Sequence, residues 1–297
     1  MIRKSHLSVA LAGLALFAGS QAFACSTSLW GAGLTGGAGG AQSTVGAVVA
    51  GQPNGGGGGT AIRYSGSCGL RSIASGQYVQ DGTPVTEATY IARFYAHVNM
   101  TSGTPVVFRV AEGAPDAANV PLISIQYNRT NQQFEAVNRT SVVTPLGAAS
   151  SALNANFYHV HLSWTRATGL LDVTIQGAGA STPQVTATGL TGFSSTSGAT
   201  GPDFVQLGWV AGTAAGQVNA DAFESRRSTA IPRLCRGDAN NSTTISVADR
   251  AAITAEIGGT LAPGQPDANE GGTVSVTDRA IITALIGAGV SACNGTF

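Results

Sequence analysis

Two twelve-residue stretches near the C-terminus carry oxygen-bearing side chains at the spacing a hard divalent cation requires. The first runs from Asp238 through Asn240, Ser242 and Thr244 to Asp249, the second from Asp267 through Asn269, Gly271 and Thr273 to Asp278. Calcium takes about six to eight oxygens at about 2.3–2.6 Å. In a loop of this length they come from side chains at positions 1, 3, 5 and 12, a backbone carbonyl at 7 and often a water at 9. Asp stands at positions 1 and 12, and Asn at position 3, in both copies. Position 5 is thinner: Ser242 offers a hydroxyl and Gly271 no side chain. Position 6, where Gly eases a sharp turn, is Thr243 in the first copy. With two carboxylates per loop the expected affinity for Ca2+ falls to roughly 0.1–1 mM, with the first loop the better site.

Helices must follow these loops. The copies align at an offset of 29 residues, and between Ser246–Gly258 and Ser275–Gly287 10 of 13 positions are identical. Each loop leads into a short apolar helix, Arg250 to Ile257 and Arg279 to Ile286. Ile253 with Ile257, and Ile282 with Ile286, are spaced i, i+4 and so fall on one helix face, able to pack together as a small core. Ile245 and Val274 at position 8 can pair the loops by a short β contact. Cys235 and Cys293 bracket the unit, and closing that loop would add about 4 kcal/mol by chain entropy.

This unit resembles a type I dockerin, a paired loop-helix form of the EF-hand that lacks the entering helix. The resemblance covers residues 233–297 and implies a calcium-stabilised docking module. It carries over Asp238, Asn240, Ser242, Asp249, Asp267, Asn269 and Asp278 as ligands. Its implied partner is a cohesin-like or cell-surface protein. The family's contact residues precede position 12. Here they are Val247-Ala248 and Val276-Thr277, which depart from the family's usual polar pair. The near-duplicate helices leave two symmetry-related binding modes open.

The other end of the chain sets the compartment. Met1-Ile2-Arg3-Lys4, an apolar stretch from Leu7 to Phe17 and Ala22-Phe23-Ala24 have the layout of a secretory signal peptide, residues 1–24. Cys25 would then begin the mature chain. Phe23, and the lack of Leu three residues before Cys25, argue against a lipoprotein. Removing Arg3 and Lys4 leaves 13 Arg against 15 acidic residues and no basic run. That balance excludes nucleic acid and anionic membrane as natural partners, and no segment is long and apolar enough to span a bilayer. Four cysteines in an oxidising compartment predict two disulfides. Three pairings are open. Cys25 with Cys68 and Cys235 with Cys293 is the simplest, since each pair stays within one unit.

Residues 25–60 form a Gly-rich arm, in which Val45 to Ala50 could add one strand. Residues 61–232 show short alternating or β-branched segments between turn residues, among them Tyr90 to Val98, Pro105 to Val110, Leu122 to Tyr127, Phe157 to Trp164, Leu170 to Ile175 and Phe204 to Val210. The pattern predicts a mainly β fold, an antiparallel sandwich, with a small helical C-terminal unit. A short turn near residues 148–153 is the one helical signal. A Tyr-His-Val strand (residues 158–160) followed by Leu-x-Val-x-Ile (residues 171–175) resembles the concanavalin A-like and laminin-G-like jelly rolls.

Other constellations carry less. His159 and His161 share a strand face and could join His97 at a metal, but alternation puts Val160, Leu162 and Trp164 in the core and both histidines toward solvent. The glucanase signature Glu-x-Asp-x-x-Glu is missing, and Asp221 and Glu224, three apart on a strand, fall on opposite faces. No Gly-x-Ser-x-Gly elbow or phosphate loop occurs. The sequence therefore reads as a secreted, non-catalytic protein with a jelly-roll module for a glycan or surface ligand and a docking tail. Its rivals are a divergent polysaccharide-acting hydrolase and a self-associating surface protein.

Overall fold

The computed structural model of the chain describes residues 48–50, 52–53, 62–66, 68–82, 84, 86–113, 120–147, 157–177, 185–195 and 201–290. The expected signal peptide, Cys25, Cys293, most of the Gly-rich arm and the turn near 148–153 lie outside them. In chain order the first strands are β1 (Val48–Ala50), β2 (Gln52–Pro53), β3 (Ile62–Arg63), β4 (Cys68–Ser72) and β5 (Gln77–Asp81). Next come β6 (Thr89–Gly103), β7 (Val106–Glu112), β8 (Val120–Asn128), β9 (Gln133–Asn138) and β10 (Val143–Leu146). The last are β11 (Tyr158–Thr165), β12 (Leu170–Gly177), β13 (Val185–Leu190), β14 (Phe204–Ala211) and β15 (Ala214–Arg226), ahead of helices α1 (Val247–Ile257) and α2 (Val276–Gly287).

Seven strands in the order β1-β4-β15-β6-β11-β12-β13 form one sheet, and six in the order β10-β9-β8-β7-β14-β5 form the other. Pairing within both is antiparallel, so the expected β-sandwich is the fold. The arm contributes β1 as an edge strand against β4. Alternation explains the layering: Tyr90, Ala92, Phe94, Ala96 and Val98 of β6 point into the core, as do Val160, Leu162 and Trp164 of β11. The strand pair read from the sequence is in register, with Val160 opposite Ile175, Leu162 opposite Val173 and Trp164 opposite Leu171. Phe94 and Phe108 stack between the two sheets at 4.8 Å, and the buried Trp164 indole donates to Phe193 O at 2.8 Å. The β6–β7 turn needs Gly103, at φ +85, because a Cβ there would sit 2.1 Å from Thr213 O.

The outer face of the seven-stranded sheet corrects two expectations. A register shift between Asp221 and Glu224, with Ala222 at φ +50, inserts one extra residue into β15. Asp221 then lies opposite Tyr95 and Glu224 opposite Arg93, so both carboxylates leave the same face rather than opposite ones. Neither is free for chemistry. Asp221 accepts the backbone N–H groups of Tyr64 (2.6 Å), Ser65 (2.8 Å) and Ala222 (2.7 Å), and Glu224 pairs with Arg93 (2.9 Å) and Arg226 (2.7 Å).

The histidines are the second correction. They do point away from the core, but His159 is 6% exposed and His97 is buried too. Residues 62–66 and 231–236 run over this face: Tyr64 stacks on Tyr95 at 3.7 Å, Leu234 N donates to the Tyr95 hydroxyl at 2.9 Å, and Arg93 Nη1 donates to Pro232 O at 2.7 Å. Burial first, then Arg233, His161 and Arg93, lowers the His159 pKa to about 3, so the ring is neutral. Among the described residues no cluster of three or more His, Cys, Asp or Glu side chains is placed to hold a metal, so the three histidines do not converge on one.

Burial raises the Asp221 pKa to about 6, against the pull of its three N–H donors and Arg63. A carboxyl whose folded pKa is raised contributes stability that is full below its unfolded value of 3.8 and is lost as pH rises through about 6. The unfolding midpoint of Asp221→Asn, measured in urea from pH 4 to 7, is therefore expected to approach that of the wild type as pH rises. A difference constant across that range would show that Asp221 does not titrate there.

Candidate metal centre and ligand face

The two acidic loops repeat in hydrogen bonding as they do in sequence. Asp238 accepts from Ser242 N (2.8 Å) and Thr243 N (2.7 Å), and Asp267 from Gly271 N (3.0 Å) and Gly272 N (2.8 Å). Asn240 Oδ1 and Asn269 Oδ1 accept from the same N–H two residues on, at 3.0 and 2.7 Å. Asp249 and Asp278 close the loops, taking Asn240 N and Asn269 N at 3.1 Å each. Each closing Asp also caps its helix. Asp249 Oδ2 accepts from Ser246 N and Oγ while the Ser246 hydroxyl accepts from Ala248 N, and Asp278 does the same with Ser275.

The donor chemistry fits calcium. Every candidate ligand is an oxygen, and each carboxylate oxygen that takes one N–H keeps a second lone pair. In each loop the carboxylates of positions 1 and 12 face each other in a buried setting. Asp267 is pushed up to about 7 by burial and by the charge of Asp278, and Asp238 is raised by burial and by Asp249. A divalent cation would relieve that repulsion. Asp238, Asn240, Ser242, Asp249 and the Thr244 carbonyl would hold it in the first loop, and Asp267, Asn269, Asp278 and the Thr273 carbonyl in the second. Gly271 supplies no side-chain ligand, and a Cβ there would displace the Asn269 amide, whose Oδ1 lies 2.6 Å away.

Ile253 and Ile282 are fully buried in a small core with Ile245, Ala239 and Ala268, and Val274 packs at its edge. The expected i, i+4 stripe holds in α2, where Ile286 packs against this core with Ile282, and fails in α1. Ile257 is 41% exposed, because the buried position in the last turn of α1 goes to Glu256. Val247 and Val276, at the starts of the helices, are each 60% exposed. Cys68 and Cys235 are both disulfide-bonded, their partners lying outside the described residues.

A second candidate site is absent from the sequence reading. On the six-stranded sheet Gln80 lies opposite Gln206, Gln206 opposite Arg109, and Arg109 opposite Ser124. Their strand neighbours Val205, Leu207, Phe108, Val110, Ile123 and Ile125 fill the core, so alternation sends this row to the outer face. The next row holds Gln126 and Glu135, bonded at 2.6 Å, with Asn128 donating to Glu135 at 2.9 Å. Gln206 Nε2 donates to Gln80 Oε1 at 2.9 Å. Two buried atoms on this face, Arg109 Nε and Gln206 Oε1, have no hydrogen-bond partner among the described residues. A donor and an acceptor thus stand unmet on directly paired residues. The local signal, one polar residue between two apolar ones in each strand, was present at Gln206, Arg109 and Ser124. Their alignment into a row depends on pairings between distant strands.

Thr243 occupies position 6 at φ +67, a region that β-branched residues rarely enter, whereas the second loop has Gly272 there at φ +97. Thr243→Gly is expected to stabilise the tail by about 1–2 kcal/mol and Gly272→Thr to destabilise it by a similar amount, read from urea unfolding. Equal midpoints for both variants and the wild type would remove strain from the account of the first loop.

No family model matches the chain, and no curated protein matches it. Solved structures with partial likeness include a Trypanosoma rangeli sialidase, at 18% identity and TM-score 0.39 over 57% of this chain and 27% of the sialidase. An alginate lyase from Pseudomonas aeruginosa shares 13% identity at TM-score 0.36, over 54% of this chain and 82% of the lyase. The metal-free lectin I-B4 of Griffonia simplicifolia shares 10% identity at TM-score 0.35, over 53% of this chain and 88% of the lectin. The chain thus spans about a quarter of the length of the sialidase it resembles.

Proposed function

We propose that this chain is an exported binding protein: a concanavalin A-like sandwich that takes a hydroxyl-rich ligand, a glycan, on the outer face of its six-stranded sheet, with a dockerin-like tail stabilised by calcium. The unmet Arg109 Nε donor and Gln206 Oε1 acceptor carry the reading. A sugar hydroxyl donates and accepts at once, so hydroxyls match both kinds of atom, and a buried polar atom left unserved costs about 1–3 kcal/mol. The flanking amides of Gln80 and Gln126 and the Ser124 hydroxyl extend the same neutral, bidirectional chemistry along the row. In the tail, oxygen-only loops with facing carboxylates support calcium, and the repeated, exposed Val247 and Val276 are the surface an external docking protein would meet.

A glycan array probed with residues 25–297 tests the sheet face. Arg109→Ala and Gln206→Ala should each weaken the captured glycan by roughly tenfold or more while leaving the thermal midpoint near that of the wild type. Capture unaffected by either variant would move the ligand elsewhere. Calorimetric titration of the same chain with calcium should give dissociation constants of roughly 0.1–1 mM, with the heat abolished in Asp238→Ala/Asp267→Ala. Absence of heat at millimolar calcium would end the metal reading.

A further inference from the structure

The tail is nearly a two-fold repeat, yet it meets the sandwich through residues that the repeat does not share. Glu256 of α1 pairs with Arg63, their side chains 4% and 0% exposed, and its other oxygen accepts Ala262 N at 2.7 Å. The equivalent residue in α2 is Leu285, one of the few differences between the copies. Glu270 in the second loop accepts from the Tyr64 hydroxyl and from Arg233 Nη2 at 2.7 and 2.8 Å, with Arg236 at 3.5 Å, and its side chain is 1% exposed. Its counterpart in the first loop is Asn241. Beside these, Gly66 N donates to Gly264 O at 2.8 Å.

The backbone marks Glu270 as out of place for local reasons. Position 4 of both loops is left-handed, φ +59 at Asn241 and φ +52 at Glu270. Asn visits that region readily and Glu does not. A residue that the loop disfavours therefore stands where its carboxylate reaches the sandwich.

We infer that the resident partner of the tail is the sandwich of its own chain, and that Glu256 and Glu270 select one of the two orientations a symmetric repeat would otherwise present. A buried charge stripped of its counter-ion is strongly unfavourable. In the reversed orientation Arg63 would face Leu285 and the Tyr64 hydroxyl would face Asn241, while Glu256 would lose its cation and Glu270 its donor from the sandwich. The inference rests on these contacts and stands apart from the calcium and glycan readings.

The test uses residues 25–297 carrying Glu256→Leu and Glu270→Asn together, each change installing the residue that the other copy bears. Asn at position 4 relieves the loop backbone, so loss of docking is separable from damage to the loop. Amide exchange by mass spectrometry, in chelator and again in calcium, is expected to quicken roughly tenfold or more at residues 62–66 and 231–236, with β6 and β11 still protected. Thermal unfolding should split from one transition into two. If the double variant loses its β6 and β11 protection, Glu270→Asn alone decides, since it keeps the Arg63 pair: faster exchange at 231–236 is expected there too. Wild-type protection of these segments in the folded variant would overturn the inference, whatever calcium does.

Discussion

Two buried carboxylates, Glu256 and Glu270, hold units of unlike architecture together as one molecule. The sandwich has its own large core and the tail a small one, and neither core crosses the seam. What crosses is mostly polar: the Arg63–Glu256 pair, the Tyr64 hydroxyl on Glu270, which Arg233 and Arg236 neutralise from within the tail, and the Gly66 N–H on Gly264 O. A seam of this kind is specific rather than adhesive. Buried ion pairs gain little over an apolar contact of equal size, but they penalise every misalignment heavily. The covering of the seven-stranded sheet follows from this seam. Tyr64 is anchored on both sides, by Glu270 through its hydroxyl and by Asp221 through its N–H, and it stacks on Tyr95 from that position. His159 is dry and neutral because that cover is in place.

The parts legible in the sequence were those with local causes. The loops and helices of the tail could be read because ligand spacing, Ser246 and Ser275 as caps, and the Ile253/Ile282 anchors all lie within one short segment. Alternation likewise gave β6, β7, β11, β12 and β14. The rest depends on partners far along the chain. Arg63 meets Glu256 across 193 residues and Tyr64 meets Glu270 across 206, so neither glutamate announces its role locally. The one inserted residue of β15 breaks the period of two between Asp221 and Glu224, because a bulge resets the face without changing residue type. Ile257 was misplaced for a related reason: the end of α1 is claimed by a charged residue with a distant partner.

The polar row on the six-stranded sheet shows the same limit from the opposite side. Each member sits between core residues in its own strand, and nothing there says that Gln80, Gln206, Arg109 and Ser124 line up. Once aligned they form a strip of neutral amides, a hydroxyl and one guanidinium, beside which the Glu135 carboxylate is engaged by Gln126 and Asn128. Tyr78 adds its hydroxyl near Arg109, and burial lowers the Arg109 pKa while Tyr78 opposes that.

The cap shared between loop and helix has a kinetic meaning. Asp249 and Asp278 each hold a loop N–H, a Ser N–H and a Ser hydroxyl with their two oxygens. The loops are thereby drawn into shape by the protein's own hydrogen bonds. Little chain entropy remains to be lost when such a loop takes up a cation, which partly offsets its shortage of negative charge. The same bonds would keep the helices started with or without a cation in the loops. A loop of this kind would take up and release a cation by filling and emptying a standing frame, with no folding and unfolding of the tail at each cycle.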